Sequence, residues 1–297
     1  MLVCSPATRC SLSSNGLRSN QRTLSPPKRL YSARPGADAL QHRLALVHTP
    51  AALIMTVNIE VERKFVLSPE LARRLVTVLE SETRPFEARR LRSTRFTDVY
   101  YDTPATWALT LRDWWLRQRQ AQWQLKVPWR DGPRASALDT YRELEQLAEL
   151  EATLGWCPDA ALRDGHIQPF AQIATERDTF QVTYRGHVLR IDLDRADFGY
   201  AVGEIEALVK DNEGEHDALK NAPSTAVAVS SAEQTIRLFA KEMDIAEPAA
   251  AVRGKLAEYI RRFRPEHYAA LVRHHILDAG DASPDNQLDL NPDENVL

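Results

Sequence analysis

The chain has 297 residues, 43% of them hydrophobic and 27% charged, which is ordinary for one or two globular domains. No stretch reaches the roughly 18 apolar residues of a membrane span, so no membrane partner is expected. The formal charge of −3 hides a division: residues 1–54 carry seven basic residues and one acid, leaving 31 basic and 40 acidic residues in 55–297, a net of −9, and an acidic body argues against a nucleic-acid partner.

Residues 1–54 are rich in Arg and Ser, poor in acids and broken by Pro6, Pro26, Pro27, Pro35 and Pro50. That composition reads as an organelle transit peptide, mitochondrial or plastid, or as an upstream extension with Met55 as the true start and a cytoplasmic protein. Cysteine is sparse, with Cys4 and Cys10 in this segment and only Cys157 in the body. Neither a disulfide framework nor a cysteine zinc site can be built, and a reducing compartment follows.

From residue 57 onward a period of two dominates. It predicts strands over 57–66, 94–102, 113–119, 122–128, 140–143, 171–183, 187–195 and 202–210, with Arg185-Gly186 turning a hairpin. Helices punctuate them. Ser68-Pro69 predicts an N-cap and first turn for a helix to about Glu82. Glu145 to Leu154 reads as a helix stopped by Gly155. Ser231 and Gln234 read as a capping box for a helix to Met243, and Lys255–Phe263 and Pro265–Leu277 follow. Asp278 to Leu297 holds six acids and no Lys or Arg and reads as a disordered tail. The folded unit is therefore expected over 55–277, as an α+β fold with a largely antiparallel sheet.

Residues two apart in a strand share a face, and here the faces are unusual. Glu60, Glu62 and Lys64 oppose Ile59, Val61 and Phe65. Arg117 and Arg119 share a face with Trp115. Gln124 and Lys126 oppose Trp123, Leu125 and Val127. Arg190, Asp192 and Asp194 oppose Leu189, Ile191 and Leu193, and Glu204 and Glu206 oppose Ile205 and Ala207. A single strand of this kind is ordinarily the solvated side of an antiparallel sheet. Five of them, with carboxylates gathered on three strands and Arg and Lys on two, weaken that reading: if the sheet closes into an eight-stranded antiparallel β-barrel with helices packed outside, the apolar faces point out to the helices and the charged faces point in. Eight strands leave room for one ligand. Buried charges must be paired, protonated or metal-bound. A polyanion answers the Arg and Lys, and Mg2+, which takes carboxylates and substrate phosphates, answers the acids.

The run Ile59-Glu60-Val61-Glu62-Arg63-Lys64-Phe65 resembles the E-x-E-x-K signature of the CYTH superfamily, the triphosphate tunnel metalloenzymes. Tyr100-Tyr101-Asp102-Thr103, Trp115-Leu116-Arg117-Gln118-Arg119, Ala196-Asp197-Phe198-Gly199-Tyr200, Val202-Gly203-Glu204-Ile205-Glu206 and Arg262-Phe263-Arg264-Pro265 resemble its animal-type thiamine-triphosphatase branch, in matching order over about 57–277. The resemblance implies Glu60, Glu62, Asp192 and Glu206 as metal ligands. It implies Lys64, Arg117, Arg119, Lys126, Arg177 and Lys255 as phosphate binders. Glu204 matches a site carboxylate that can face metal or substrate, and Lys126 and Glu204 are the expected catalytic residues. Asp194 and Glu143 are secondary candidates. The chain departs from the pattern in its N-terminal extension and in a polar insertion around Asn221–Ser230.

The implied reaction is magnesium-dependent hydrolysis of thiamine triphosphate to thiamine diphosphate and phosphate by a monomer. Such phosphoryl transfer rests on positioning and charge neutralisation, with a carboxylate or a metal-bound water as base. Trp115, on the inward face beside Arg117, either covers the thiazolium cation or fills core. Alternatives are an inorganic tripolyphosphatase of the same fold, the adenylate-cyclase branch, and a non-catalytic polyphosphate-binding module.

Overall fold

The computed structural model describes residues 58–129, 138–210, 224–247 and 251–279. The expectations for residues 1–54 and for the tail beyond Ala279 lie outside these residues. Eight strands are present: β1 (Asn58–Val66), β2 (Glu87–Asp102), β3 (Trp115–Arg119), β4 (Gln122–Pro128), β5 (Asp139–Leu144), β6 (Gln168–Tyr184), β7 (His187–Ala196) and β8 (Tyr200–Lys210). They close into a barrel in the order β1-β5-β4-β3-β2-β6-β7-β8, and every neighbouring pair is antiparallel. The β6–β7 hairpin turns on Arg185 and Gly186, both left-handed at φ 51° and 81°. Two consecutive positive φ values match the twist of the flanking strands.

The alternation along the strands decides which way the barrel faces. Ile59, Val61, Phe65, Leu189, Ile191 and Ile205 point outward and pack against α1 (Pro69–Glu80) and α4 (Thr225–Glu242). The helices α2 (Leu147–Leu154) and α3 (Pro158–Arg163) cover Leu116, Trp123 and Leu125, while α5 (Lys255–Phe263) and α6 (Pro265–Arg273) cover Ile173 and Val202. Each such side chain contributes about 1.5–3 kcal/mol when taken from water. That burial lies on the outside of the barrel, so closing the sheet leaves the charged faces inside. Gly203 makes one of these contacts possible. The Phe65 ring lies across it, and a Cβ at 203 would come within 2.0 Å of the ring.

α1 starts as the sequence reads, with Ser68 Oγ accepting the Leu71 N–H at 3.2 Å and Pro69 in the first turn. α4 does not. The Ser231–Gln234 capping box is not a cap: the helix already begins at Thr225, and the Ser231 carbonyl accepts from Thr235 Oγ1 at 2.9 Å inside it. Val229, Ala232, Ile236, Phe239 and Ala240 form one buried stripe, and this tertiary burial carries the helix through the polar stretch. α3 and a 3-10 turn at Thr110–Arg112 are too short to show a period. α6 ends at Arg273 rather than Leu277.

β2 begins at Glu87, seven residues before its expected start. Two register shifts along the β2–β6 ladder explain why. Between Arg90 and Arg92 the strand β2 has one residue too many, and between Tyr100 and Tyr101 it has one too few. The first bulge inverts the alternation below it, so the exposed run Arg89–Arg92 does not read as the same strand.

Candidate active site

Inside the barrel is a cavity of about 740 Å³, lined from all eight strands and by residues 251–257 leading into α5. That volume suits one small ligand. All of the expected site residues except Asp192 line it, as does Glu143. The register explains the convergence. Across β1 and β8, Glu62 faces Glu206 and Lys64 faces Glu204. Across β7 and β8, Arg190 faces Glu206 and Asp192 faces Glu204. Across β3 and β4, Trp115 faces Lys126.

One group of charges is organised by Arg177. Its Nε and Nη2 donate to the two oxygens of Asp194 at 2.6 Å each, Nη1 reaches Asp192 and Nη2 reaches Glu204 at 3.0 Å. Lys255, from the first turn of α5, also donates to Asp194 and lies 3.5 Å from Glu204. Burial would raise the Glu204 carboxyl, but Lys255 and Arg177 hold it well below the usual range. Asp192 and Asp194 are buried beneath this cluster, at 1% and 0% exposure, and support it rather than form the wall.

The second group lies across β1, β2, β3, β4 and β5. Lys126 donates to Glu60, and Lys64 donates to Glu62 at 2.6 Å and to Asp139. Arg117 donates to Glu143 at 2.7 Å, and Arg119 grips Asp98 through two bonds of 2.7 Å. The parallel fork between Arg119 and Asp98 fixes the guanidinium plane. Burial raises Glu60 well above the usual carboxylate range despite Lys126, and the charges of Glu143 and Glu206 add to the rise. Glu206 is pushed up to about 7 by burial; Arg190 and Lys126 offset part of the rise, while Glu62 and Asp192 add to it. Its Oε1 is buried with no hydrogen-bond partner.

As they stand, no three Asp, Glu, His or Cys side chains among the described residues form a cluster able to hold a metal. Glu60 and Glu62 are instead paired with lysines, and Asp192 with Arg177 and Arg190. The cavity is thus a set of ion pairs with two strained carboxylates among them.

Asp98, Arg190, Asp139 and Tyr141 are among the cavity or near-cavity residues that carried no expectation. Asp98 is 1% exposed behind Arg119. It sits on the inward face of β2 between Phe96 and Tyr100, which carries too little other charge to stand out. Arg190, placed on the inward face by alternation but given no role, lies 2.8 Å from Asp192 and 3.2 Å from Glu206. Asp139 and Tyr141 belong to the short β5, whose alternation is brief.

The CYTH domain model matches residues 58–239. Human thiamine-triphosphatase is 32% identical over an alignment of 233 residues that covers 72% of this chain and 89% of the human protein. Thiamine-triphosphatase of Macaca fascicularis is 33% identical over 230 residues, with the same coverage of each chain. Among solved structures, the PH1819 protein from Pyrococcus horikoshii OT3 is 19% identical, over 68% of this chain and 99% of its own, with a TM-score of 0.42. A charged cavity inside a closed barrel, a family model spanning most of that barrel and relatives matched over most of their length together make this chain a member of the CYTH family, a hydrolase acting on a triphosphate.

Proposed function

We propose that the chain hydrolyses thiamine triphosphate to thiamine diphosphate and phosphate, with Mg2+ as cofactor, and that residues 55–277 are the catalytic body. The observation that carries the substrate is the wall between β3 and β4. Trp115 lies directly opposite Lys126 and two residues from Arg117, so an aromatic face adjoins the phosphate-binding cations. A cationic thiazolium ring against that face gains about 0.5–2 kcal/mol, while its phosphate chain reaches Lys126, Arg117 and Arg119. Names of the human and macaque relatives support the same substrate.

The acids fit a divalent metal. Burial raises both Glu60 and Glu206, the charge of Glu206 adds to the rise of Glu60, those of Glu62 and Asp192 add to the rise of Glu206, and Glu206 Oε1 has no partner. Glu60, Glu62, Glu206 and Asp192 would hold such a cation, which would offset the repulsion among them and give the orphaned oxygen a partner. It would also withdraw charge from phosphate oxygens. The remaining chemistry belongs to the chain. Lys64, Arg117, Arg119, Arg177 and Lys255 neutralise and align the triphosphate for in-line attack by water. Lys126 is held in its charged form by Glu60 and Glu62 against burial that would lower it, so it stabilises the departing diphosphate as a fixed cation. Glu204, kept ionised by Lys255 and Arg177, orients those two cations toward the substrate.

Phosphate release from thiamine triphosphate, tripolyphosphate and ATP, each with and without Mg2+, tests the reading. Trp115→Ala is expected to lower kcat/KM for thiamine triphosphate about five- to thirtyfold relative to tripolyphosphate. Equal losses on both substrates would leave Trp115 as packing and make tripolyphosphatase the better description.

A further inference from the structure

We propose that Asp113 is the positioning residue of the head-group end of the cavity, acting through Trp115 and Tyr141. This rests on the thiamine reading and adds a residue to it. The Trp115 indole N–H donates to Asp113 Oδ1 at 2.7 Å, and the Tyr141 hydroxyl donates to the same oxygen at 2.9 Å. Both rings line the cavity, one from β3 and the other from β5. These strands are not neighbours, because β4 lies between them. One carboxylate oxygen therefore ties two aromatic faces across an intervening strand. Without it the two rings lose their common tie, and any freedom they gain must be given up again on binding, which costs affinity.

The backbone at Asp113 supports the assignment. Its φ of 62° is left-handed, a conformation that costs an L-residue roughly 1–2 kcal/mol. Such strain persists where surrounding structure enforces it, and here the enforcement is visible. The Asp113 N–H closes the 3-10 turn on the Thr110 carbonyl at 3.0 Å. Asp102 grips that turn from below, accepting the Leu109 and Thr110 N–H groups at 2.9 Å each and Thr110 Oγ1 at 2.7 Å. Thr110 Oγ1 also lies 2.8 Å from His267 Nε2 on α6. A buried network thus holds the turn so that Asp113 meets both rings.

The experiment compares the unsubstituted full chain with Asp113→Asn and Asp113→Gly, on thiamine triphosphate and on tripolyphosphate. Glycine removes the carboxylate and accepts the left-handed backbone without strain. Asparagine also tolerates that backbone and keeps an oxygen that accepts both bonds, but carries no charge. The expected result for Asp113→Gly is a KM for thiamine triphosphate raised about tenfold, from loss of a preorganised cation–π contact, with kcat little changed and tripolyphosphate kinetics within about twofold. Asp113→Asn is expected to restore most of the KM. An unchanged substrate ratio in Asp113→Gly, equal losses on both substrates, or an Asn variant as impaired as the Gly variant would each overturn the proposal. The last would mean that charge, not ring placement, is what Asp113 supplies. An unsubstituted chain with no preference for thiamine triphosphate refutes instead the reading on which the proposal stands, before either variant is measured.

Discussion

Arg177→Gln is the most informative single substitution for the energetics of the cavity. Arg177 bonds Asp194, Asp192 and Glu204, whose exposures are 0%, 1% and 8%. Removing one partner of a buried ion pair typically costs about 3–5 kcal/mol, because the remaining charges stay buried and uncompensated. Lys255 remains on Asp194, and Thr179 and Arg190 remain on Asp192, so the loss belongs at the lower end, about 3 kcal/mol. At roughly 2–4 °C per kcal/mol for a domain of this size, the melting temperature falls by about 6–12 °C near neutral pH. The pH dependence adds a sign. Glu204 lies well below its ordinary pKa in the folded protein. Its stabilisation is therefore present above the unfolded pKa of about 4.3 and is lost as pH falls through the folded value. In Arg177→Gln part of that depression is gone, so less remains to lose, and the two melting curves should converge below about pH 4. Circular dichroism melts of both proteins from neutral to acid pH read this directly. A fall under about 2 °C at neutral pH, or a gap that widens in acid, would refute the reasoning.

Glu60→Gln should abolish Mg2+-dependent turnover without lowering the melting temperature, since burial already disfavours the Glu60 charge, and Glu62→Gln should abolish it as well; near-normal turnover in either variant counts against their role. Glu206, pushed up to about 7, should make Mg2+ binding release protons at pH 6 and tighten as pH rises toward 7. Calorimetry in buffers of different ionisation enthalpy measures this, and proton-free binding at pH 6 would remove Glu206 from the ligand set. Mg2+ and a triphosphate added together should stabilise the fold by about 2.7 kcal/mol at a hundredfold excess over Kd; a melting curve that saturating ligand leaves in place would make the inward charges merely structural.

Much of the cavity was legible because strands impose a fixed period. Glu60, Glu62 and Lys64 declare a shared face from their spacing alone, and five such faces are better explained by a closed barrel than by one solvated sheet. The apolar positions between them, such as Ile59 and Val61, are buried at 0% exposure beneath helices, as that reading requires. Pairing was not legible. The sequence does not show that Arg119 meets Asp98 or that Arg177 meets Asp194, because those bonds depend on strand order and register. Asp113 was missed for a different reason: the period reads it as the first residue of a strand over 113–119, whereas β3 begins at Trp115 and Asp113 closes the 3-10 turn in a left-handed conformation, where the period does not set which way a side chain points. At Ser231 a local signal was overruled by the buried stripe on α4, which extends the helix past a sequence that resembles its beginning.

The paired irregularities in the β2–β6 ladder bear on how such a protein can change length. In a closed barrel a one-residue insertion within a strand exchanges the two faces of everything beyond it. Carboxylates and guanidinium groups would be thrust among the helices, and Val or Leu into the cavity. Most strands should therefore tolerate substitution far better than insertion or deletion. The Arg90–Arg92 bulge marks a place where one surplus residue is accommodated. It lies where β2 carries an exposed arginine run, so the inverted alternation puts charge into water rather than into the core. Heritable changes of length should accumulate there and in the hairpin turns, and be purged from the stretch between Thr94 and Tyr100, where a shift of one residue would turn Asp98 away from Arg119.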